Sequence, residues 1–192
     1  MQKEKYFQEG KPRVKIVNLA TIPEAIDELA EWHHAEWSYL NPQLSLYQRR
    51  EKMKNYLREV FIPSTFVATD GNAVLGSAAI IESDMDTHKH LTPWLASVYV
   101  DANYRGQGVG SELVTHVMHE AKSQGVEKLY LFTPDQAAFY EKLGWVIMFR
   151  ERYHDCEVTI CVLNSNSSYK LFVCTKLFVC TMLYKNLTHI CL

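Results

Sequence analysis

Apolar and polar residues alternate in part over residues 13–19 (Arg-Val-Lys-Ile-Val-Asn-Leu), which predicts a first strand with one buried face. Ile22, Ile26, Leu29, His33 and Trp37 then recur at helical spacing, and Thr21-Ile22-Pro23-Glu24 reads as a capping box at the helix start. Asn41-Pro42 ends that helix. A second box, Ser45-Leu46-Tyr47-Gln48, opens a second helix marked by Met53, Leu57 and Val60, predicted to run to near Pro63. Residues 65–69 and 73–82 flank Asp70-Gly71-Asn72 as a hairpin. After a polar loop, residues 94–100 form a β-prone run. Apolar positions at 109, 113, 117 and 121 predict a long helix with Gly125 just past its end. A strand over 128–132, a short helix over 136–143 stopped by Gly144, and strands over 145–152 and 156–162 complete the pattern. The order β-α-α-β-β-β-α-β-α-β-β is that of an α/β (α+β) mixed sheet with helices packed against it.

The chain has 192 residues, 47% of them apolar, enough to bury a core and to argue against disorder. With 20 basic and 22 acidic side chains the formal charge is −2, which removes the electrostatic footprint of a general nucleic-acid binder. Met1-Gln2-Lys3-Glu4-Lys5-Tyr6 carries no apolar leader, and no run is long enough for a membrane span, so a cytoplasmic protein with no membrane partner is expected. The five cysteines (156, 161, 174, 180, 191) lack metal-site spacing and read as reduced thiols. Two glycosylation-type tripeptides, at Asn166 and Asn186, read as chance without a signal peptide.

The last thirty or so residues differ in composition. All 22 acidic residues precede residue 161, and Lys170-Leu171-Phe172-Val173-Cys174-Thr175 is repeated at once as Lys176-Leu177-Phe178-Val179-Cys180-Thr181. Two readings stand for residues 163–192: a tail foreign to the domain, such as a shifted reading frame, or an extra strand or hairpin on a sheet edge. Residues 1–12 read as an N-terminal extension and 13–162 as the domain.

Chemistry concentrates in Tyr104-Arg105-Gly106-Gln107-Gly108-Val109-Gly110-Ser111, between a strand and a helix. Glycines allow close backbone approach, and first-turn N–H groups with the helix dipole make a pyrophosphate cradle that needs no net positive charge. A tight turn that is Gly-rich for packing alone is the competing reading. No Gly-Lys-Ser/Thr follows, which removes the Walker loop, and the spacing Gly-x-Gly-x-Gly is not the dinucleotide fingerprint.

Arg-x-x-Gly-x-Gly resembles the acetyl-CoA loop of the GNAT superfamily of N-acetyltransferases. Pro93-Trp94-Leu95-Ala96-Ser97-Val98-Tyr99-Val100-Asp101 looks like the strand before that loop, and Phe139-Tyr140-Glu141-Lys142-Leu143-Gly144-Trp145 like the segment on the following helix. The resemblance covers about residues 13–162. It implies a mixed sheet of about seven strands and four helices, splayed between the fourth and fifth strands, with acetyl-CoA as co-substrate entering the gap. It also implies that backbone around Val98, Tyr99 and Val100 holds the pantetheine arm as an added strand. Arg105, Gly106, Gln107, Gly108, Val109, Gly110 and Ser111 would cradle the phosphates, and Tyr140 would protonate the leaving thiolate.

Two positions depart from the family pattern. Thr133-Pro134-Asp135-Gln136 stands where many members place an Asn, leaving Asp135 or Gln136 as substitute cofactor contacts. The strand over 94–100 lacks the Glu that serves many members as base and offers only Ser97. A water relay, Glu82, Asp84, His88 and His90 remain as alternatives. Trp32, His33, His34, Trp37 and Tyr39 form an aromatic run that fits either a core or a cation-binding mouth. Residues 135–140 also resemble the actin N-terminal acetyltransferase branch. The resulting expectation is an acetyl-CoA-dependent transfer to a primary amine of a small molecule or peptide by direct attack, in a monomer or homodimer. A protein N-terminus as substrate, or a non-catalytic acyl-CoA-binding module, are the alternatives.

Overall fold

The computed structural model describes residues 14–58 and 60–165. Expectations for residues 1–12 and for the duplicated segment lie outside the described residues. The elements are β1 (Lys15–Asn18), α1 (Ile26–Trp37), α2 (Leu46–Lys54), β2 (Ser64–Thr69), β3 (Val74–Ile81), β4 (Trp94–Val100), α3 (Val109–Ser123), β5 (Lys128–Thr133), α4 (Ala137–Lys142), β6 (Val146–Tyr153) and β7 (Cys156–Asn164). Their order is the expected one, and the last strand runs past Val162, with Leu163 buried opposite Leu129. Among the described residues no helix is long and apolar enough to cross a membrane.

The seven strands form one sheet in the order β1-β2-β3-β4-β5-β7-β6. All neighbours are antiparallel except β4 and β5, which run parallel and meet in register only at Trp94↔Tyr130. The central strands bury both faces, which explains why β3 is apolar along its length apart from the buried Ser77. Leu75, Ala78 and Ile80 pack under α3 with Leu113, Val117 and Leu131, whereas Ala79 and Ile81 join Trp94, Tyr130 and Ile160 in a second core. On β2, Phe66 and Ala68 face the α3 side, and Val67 faces Leu29 and Ala30 of α1.

Local signals explain most boundaries. Ser45 and Gln48 form the expected reciprocal box, with Gln48 N donating to Ser45 Oγ (3.2 Å) and Ser45 N to Gln48 Oε1 (2.9 Å). Asp70 Oδ1 accepts from the N–H groups of Asn72 (2.8 Å) and Ala73 (2.9 Å) to close the hairpin. Gly125 (φ +77°) ends α3, with its N–H on Lys122 O and that of Val126 on Ala121 O, both at 3.0 Å.

Two expectations fail. The box at Thr21 does not form: Asn18 Oδ1 takes the N–H of Ala20 (2.8 Å), Thr21 Oγ1 donates back to Asn18 O (2.7 Å), and two short 3-10 turns precede α1. The second helix stops at Lys54, because Asn55, Tyr56 and Leu57 donate in turn to the carbonyls of Lys52, Met53 and Lys54, tightening the chain into i,i+3 turns. That early stop carries Tyr56 inward and leaves Val60 49% exposed.

Candidate active site

A bulge opens the centre of the sheet. Ser77 pairs with Tyr99 and Ala79 with Ala96, so β4 carries one residue more than β3 over this interval, and Ser97 takes φ +51°. Ser77 Oγ donates to Ser97 O (3.3 Å), and the buried His33 Nε2 lies 2.8 Å from the same hydroxyl. β4 pairs in register with β5 only at Trp94, and Ser97, Val98, Tyr99 and Val100 are half-buried. This is the expected splay between the fourth and fifth strands.

The divergence creates a cleft of about 950 Å³ that reaches from the glycine loop to the inner sides of α1 and α2. At its loop end the chain leaves β4 through a 3-10 turn over Ala102–Tyr104, held by Asp101 Oδ1 accepting from Asn103 N at 2.9 Å. Gly106 (φ +73°) and Gly108 (φ +95°) are left-handed, and Gly108 caps α3. A Cβ built on either would meet no atom within 4 Å, so free space fronts the loop. The first α3 N–H with an intrahelical acceptor is that of Glu112, on Gly108 O (3.0 Å), which leaves those of Val109, Gly110 and Ser111 to a ligand. A close-approach surface with unspent donors fits the pyrophosphate of acetyl-CoA.

Of the residues predicted for the cofactor, Val98, Tyr99, Val100, Arg105, Gly106, Gly108, Val109, Gly110, Ser111, Gln136 and Tyr140 all line this cleft. Gln107 does not: its Nε2 donates to Asn103 O (3.0 Å) and braces the loop from behind. Arg105 folds back, with Nε donating to Val100 O (2.9 Å) and its guanidinium 5.5 Å from the centre of the Tyr99 ring. Tyr140, on α4, is 8% exposed and packs between Phe139 and Trp145 (ring centres 5.0 and 6.0 Å). Burial raises its pKa well above the ordinary phenol value, so it stays protonated at neutral pH.

The acceptor side differs more from expectation. Of Glu82, Asp84, His88 and His90, only Asp84 lines the cleft. His88 is bound instead to the Glu151 carboxylate (2.9 Å) and meets the His90 ring edge-on and the Phe149 ring at a tilt. Burial pushes the Asp84 carboxyl from 3.8 up to about 6, against the pull of Lys52. The aromatic run divides. His33, Trp37 and the exposed Tyr39 line the cleft, with Trp37 against His33 and the Tyr99 ring, whereas Trp32 packs on Tyr99 and neither it nor His34 lines the cleft. Arg49 and Tyr56, which sequence reasoning missed, line the same wall. Arg49 falls four residues before Met53 on the buried stripe of α2, and a charge on that stripe was the available signal.

Comparison with known proteins agrees with this geometry. Residues 26–145 match the acetyltransferase (GNAT) family. The chain is 29% identical over 117 residues to N-alpha-acetyltransferase 30 of Schizosaccharomyces pombe, covering 56% of this chain and 77% of that protein. It is 26% identical over 144 residues to mycothiol acetyltransferase of Corynebacterium glutamicum, covering 71% of this chain and 44% of that longer protein. Aminoglycoside 6'-acetyltransferase type Ii shares the fold with a TM-score of 0.61 at 19% identity, over 79% of this chain and 97% of that one. So does a Salmonella typhimurium acetyltransferase solved with its cofactor acetyl-CoA, with a TM-score of 0.59 at 17% identity over 84% and 99% of the two chains. With more than half of its length matched, the chain belongs to the acetyltransferase (GNAT) family, as an acetyltransferase whose co-substrate is acetyl-CoA.

Proposed function

We propose that this enzyme acetylates a primary amine of a small molecule or peptide, with Asp84 as the proton acceptor and Tyr140 as the proton donor. When bound, acetyl-CoA supplies an activated acetyl thioester. The α3 N-terminus and the backbone of Gly106 and Gly108 would hold its phosphates, and the half-buried stretch of β4 from Val98 to Val100 would align its arm. An N–H on the bulged part of β4 polarises the carbonyl under attack, a role that needs a preset donor rather than a charged side chain. Asp84 takes the proton that the ammonium must lose, and Tyr140 hands one to the departing sulfur. No cysteine precedes residue 156, which favours direct attack over an acyl-cysteine enzyme. The free thiols of Cys156 and Cys161 support a reducing, cytoplasmic setting.

The observation that carries this reading is that one cleft holds the glycine loop, Tyr140 and a carboxylate whose pKa is about 6. Similarity to mycothiol acetyltransferase supports a small-molecule acceptor, and similarity to N-alpha-acetyltransferase 30 supports a protein N-terminus as the second reading. The test is the pH profile of kcat/KM. Wild type should show an acid limb near pH 6, Asp84→Asn should lose that limb and about 10²–10⁴-fold in rate, and Tyr140→Phe should lose rate while keeping acetyl-CoA affinity. An acid limb unchanged in Asp84→Asn would exclude Asp84 as the base.

A further inference from the structure

Resting on that reading, we infer that the acceptor carries a carboxylate beside its amine, and that Arg49 binds it. The two arginines in the middle of α2 have opposite fates. Arg50 is held by Asp27 (2.9 Å) and Glu31 (2.8 Å) on α1. Arg49 lines the cleft, is only 9% exposed, and among the described residues its buried Nε and Nη2 have no hydrogen-bond partner. These two nitrogens present their N–H bonds side by side, the fork that matches both oxygens of one carboxylate.

Among the described residues no carboxylate forms an ion pair with Arg49, although Glu36 and Asp84 line the same cleft. Two groups coupled to the Arg49 charge are uncharged at neutral pH: His33, with a pKa of about 3, and the Tyr56 phenol, pushed up to about 12. Asp84 lines the same cleft, and the cation that acts on its carboxyl is Lys52 rather than Arg49. A guanidinium does not lose its proton, so burial without a partner is costly unless a ligand brings the anion. The glycine loop already provides for the phosphates at the other end of the cleft, which leaves Arg49 to the acceptor. Asp84 then faces the amine and Arg49 the carboxylate of one zwitterionic substrate.

The experiment uses the full chain with acetyl-CoA and paired probes. Glycine, β-alanine, 4-aminobutanoate and 6-aminohexanoate are each compared with their carboxamides. A second arm compares the peptide amides Asp-Ala-Ala and Asn-Ala-Ala, separating a free amino acid from an acidic peptide terminus as the source of the carboxylate. In at least one arm the carboxylate should be preferred in kcat/KM by about 10–100-fold. Arg49→Met should bring that ratio close to one and Arg49→Lys should keep part of it. Removing an unpaired buried charge should also raise the melting temperature of the ligand-free protein. A ratio unchanged in Arg49→Met, or a matching loss of acetyl-CoA affinity, would overturn the assignment. Calorimetric titration of the same probes without acetyl-CoA separates the two claims. Arg49-dependent carboxylate binding with no acetyl transfer to any probe would refute the transfer reading and leave the anion site standing. Absence of both binding and selectivity would refute the site.

Discussion

Asp84 and His33 are two titrating side chains that the fold perturbs in opposite electrostatic senses. Burial, assisted by the Arg49 charge, pulls His33 from 6.5 down to about 3, so it is neutral when folded and charged when unfolded in mildly acidic solution. Between those values the unfolded state binds the extra proton, and stability rises with pH by up to about 1.4 kcal/mol per unit. Asp84 does the reverse. Its folded pKa is raised from 3.8 to about 6, so the folded state binds more protons in that window and stability falls as pH rises. The slopes oppose each other from about pH 4 to 6, and wild-type stability should be nearly flat there. Urea unfolding of Asp84→Asn should show stability climbing with pH across the window, and His33→Gln should show it falling. Parallel profiles for all three proteins would mean that neither group is desolvated as the fold indicates. Neither perturbation was legible from sequence. His33 was visible as part of an apolar stripe, but its partner Ser77 lies 44 residues away, on a strand that only the folded sheet brings beside α1.

Among the elements, those whose signals are local were readable and those set by tertiary contacts were not. The strand over residues 94–100 and the α3 start at Val109 fall where the β-prone run and the glycines place them. The Ser45 box formed because nothing upstream competed for its donors, whereas Asn18 pre-empted the one at Thr21. The bulge at Ser97 had no sequence signal, since a serine seldom adopts φ +51° and does so here with Ser77 bonded to its carbonyl. That bulge lies on the part of β4 beyond its one registered pair with β5, along the cleft. The glycine loop is the element most open to test. At Gly108 a methyl group would meet empty space but would have to adopt φ +95°, so Gly108→Ala should cost about 1–2 kcal/mol of stability through strain. The same methyl would stand where the phosphates approach the backbone, and acetyl-CoA affinity should fall tenfold or more by calorimetry. A stability loss with unchanged affinity would reduce the glycines to turn formers.

Across the whole molecule, one topological fact joins fold to function. Six strand junctions hold the sheet together, and the single parallel one, between β4 and β5, meets at only one registered pair. The cleft at that junction brings the loop before α3, Tyr140 of α4, Asp84 beyond β3 and Arg49 of α2 onto one space, although they are scattered over the chain. Residue order alone could not show that α2 belongs to this wall, because α2 owes its place to packing against α1 and to its early stop at Lys54. The central claim is that this space passes an acetyl group directly to an amine. The most direct measurement is an acetyl balance in a single turnover, with the enzyme in excess over labelled acetyl-CoA and a carboxylate-bearing amine added last. Before the amine, no free thiol and no label on the protein should be found. After it, thiol and N-acetylated amine should form in equal amounts and at the same rate. Thiol release before the amine, with the label retained on the protein, would contradict direct transfer, and failure of every amine to receive the label would contradict the proposed reaction itself.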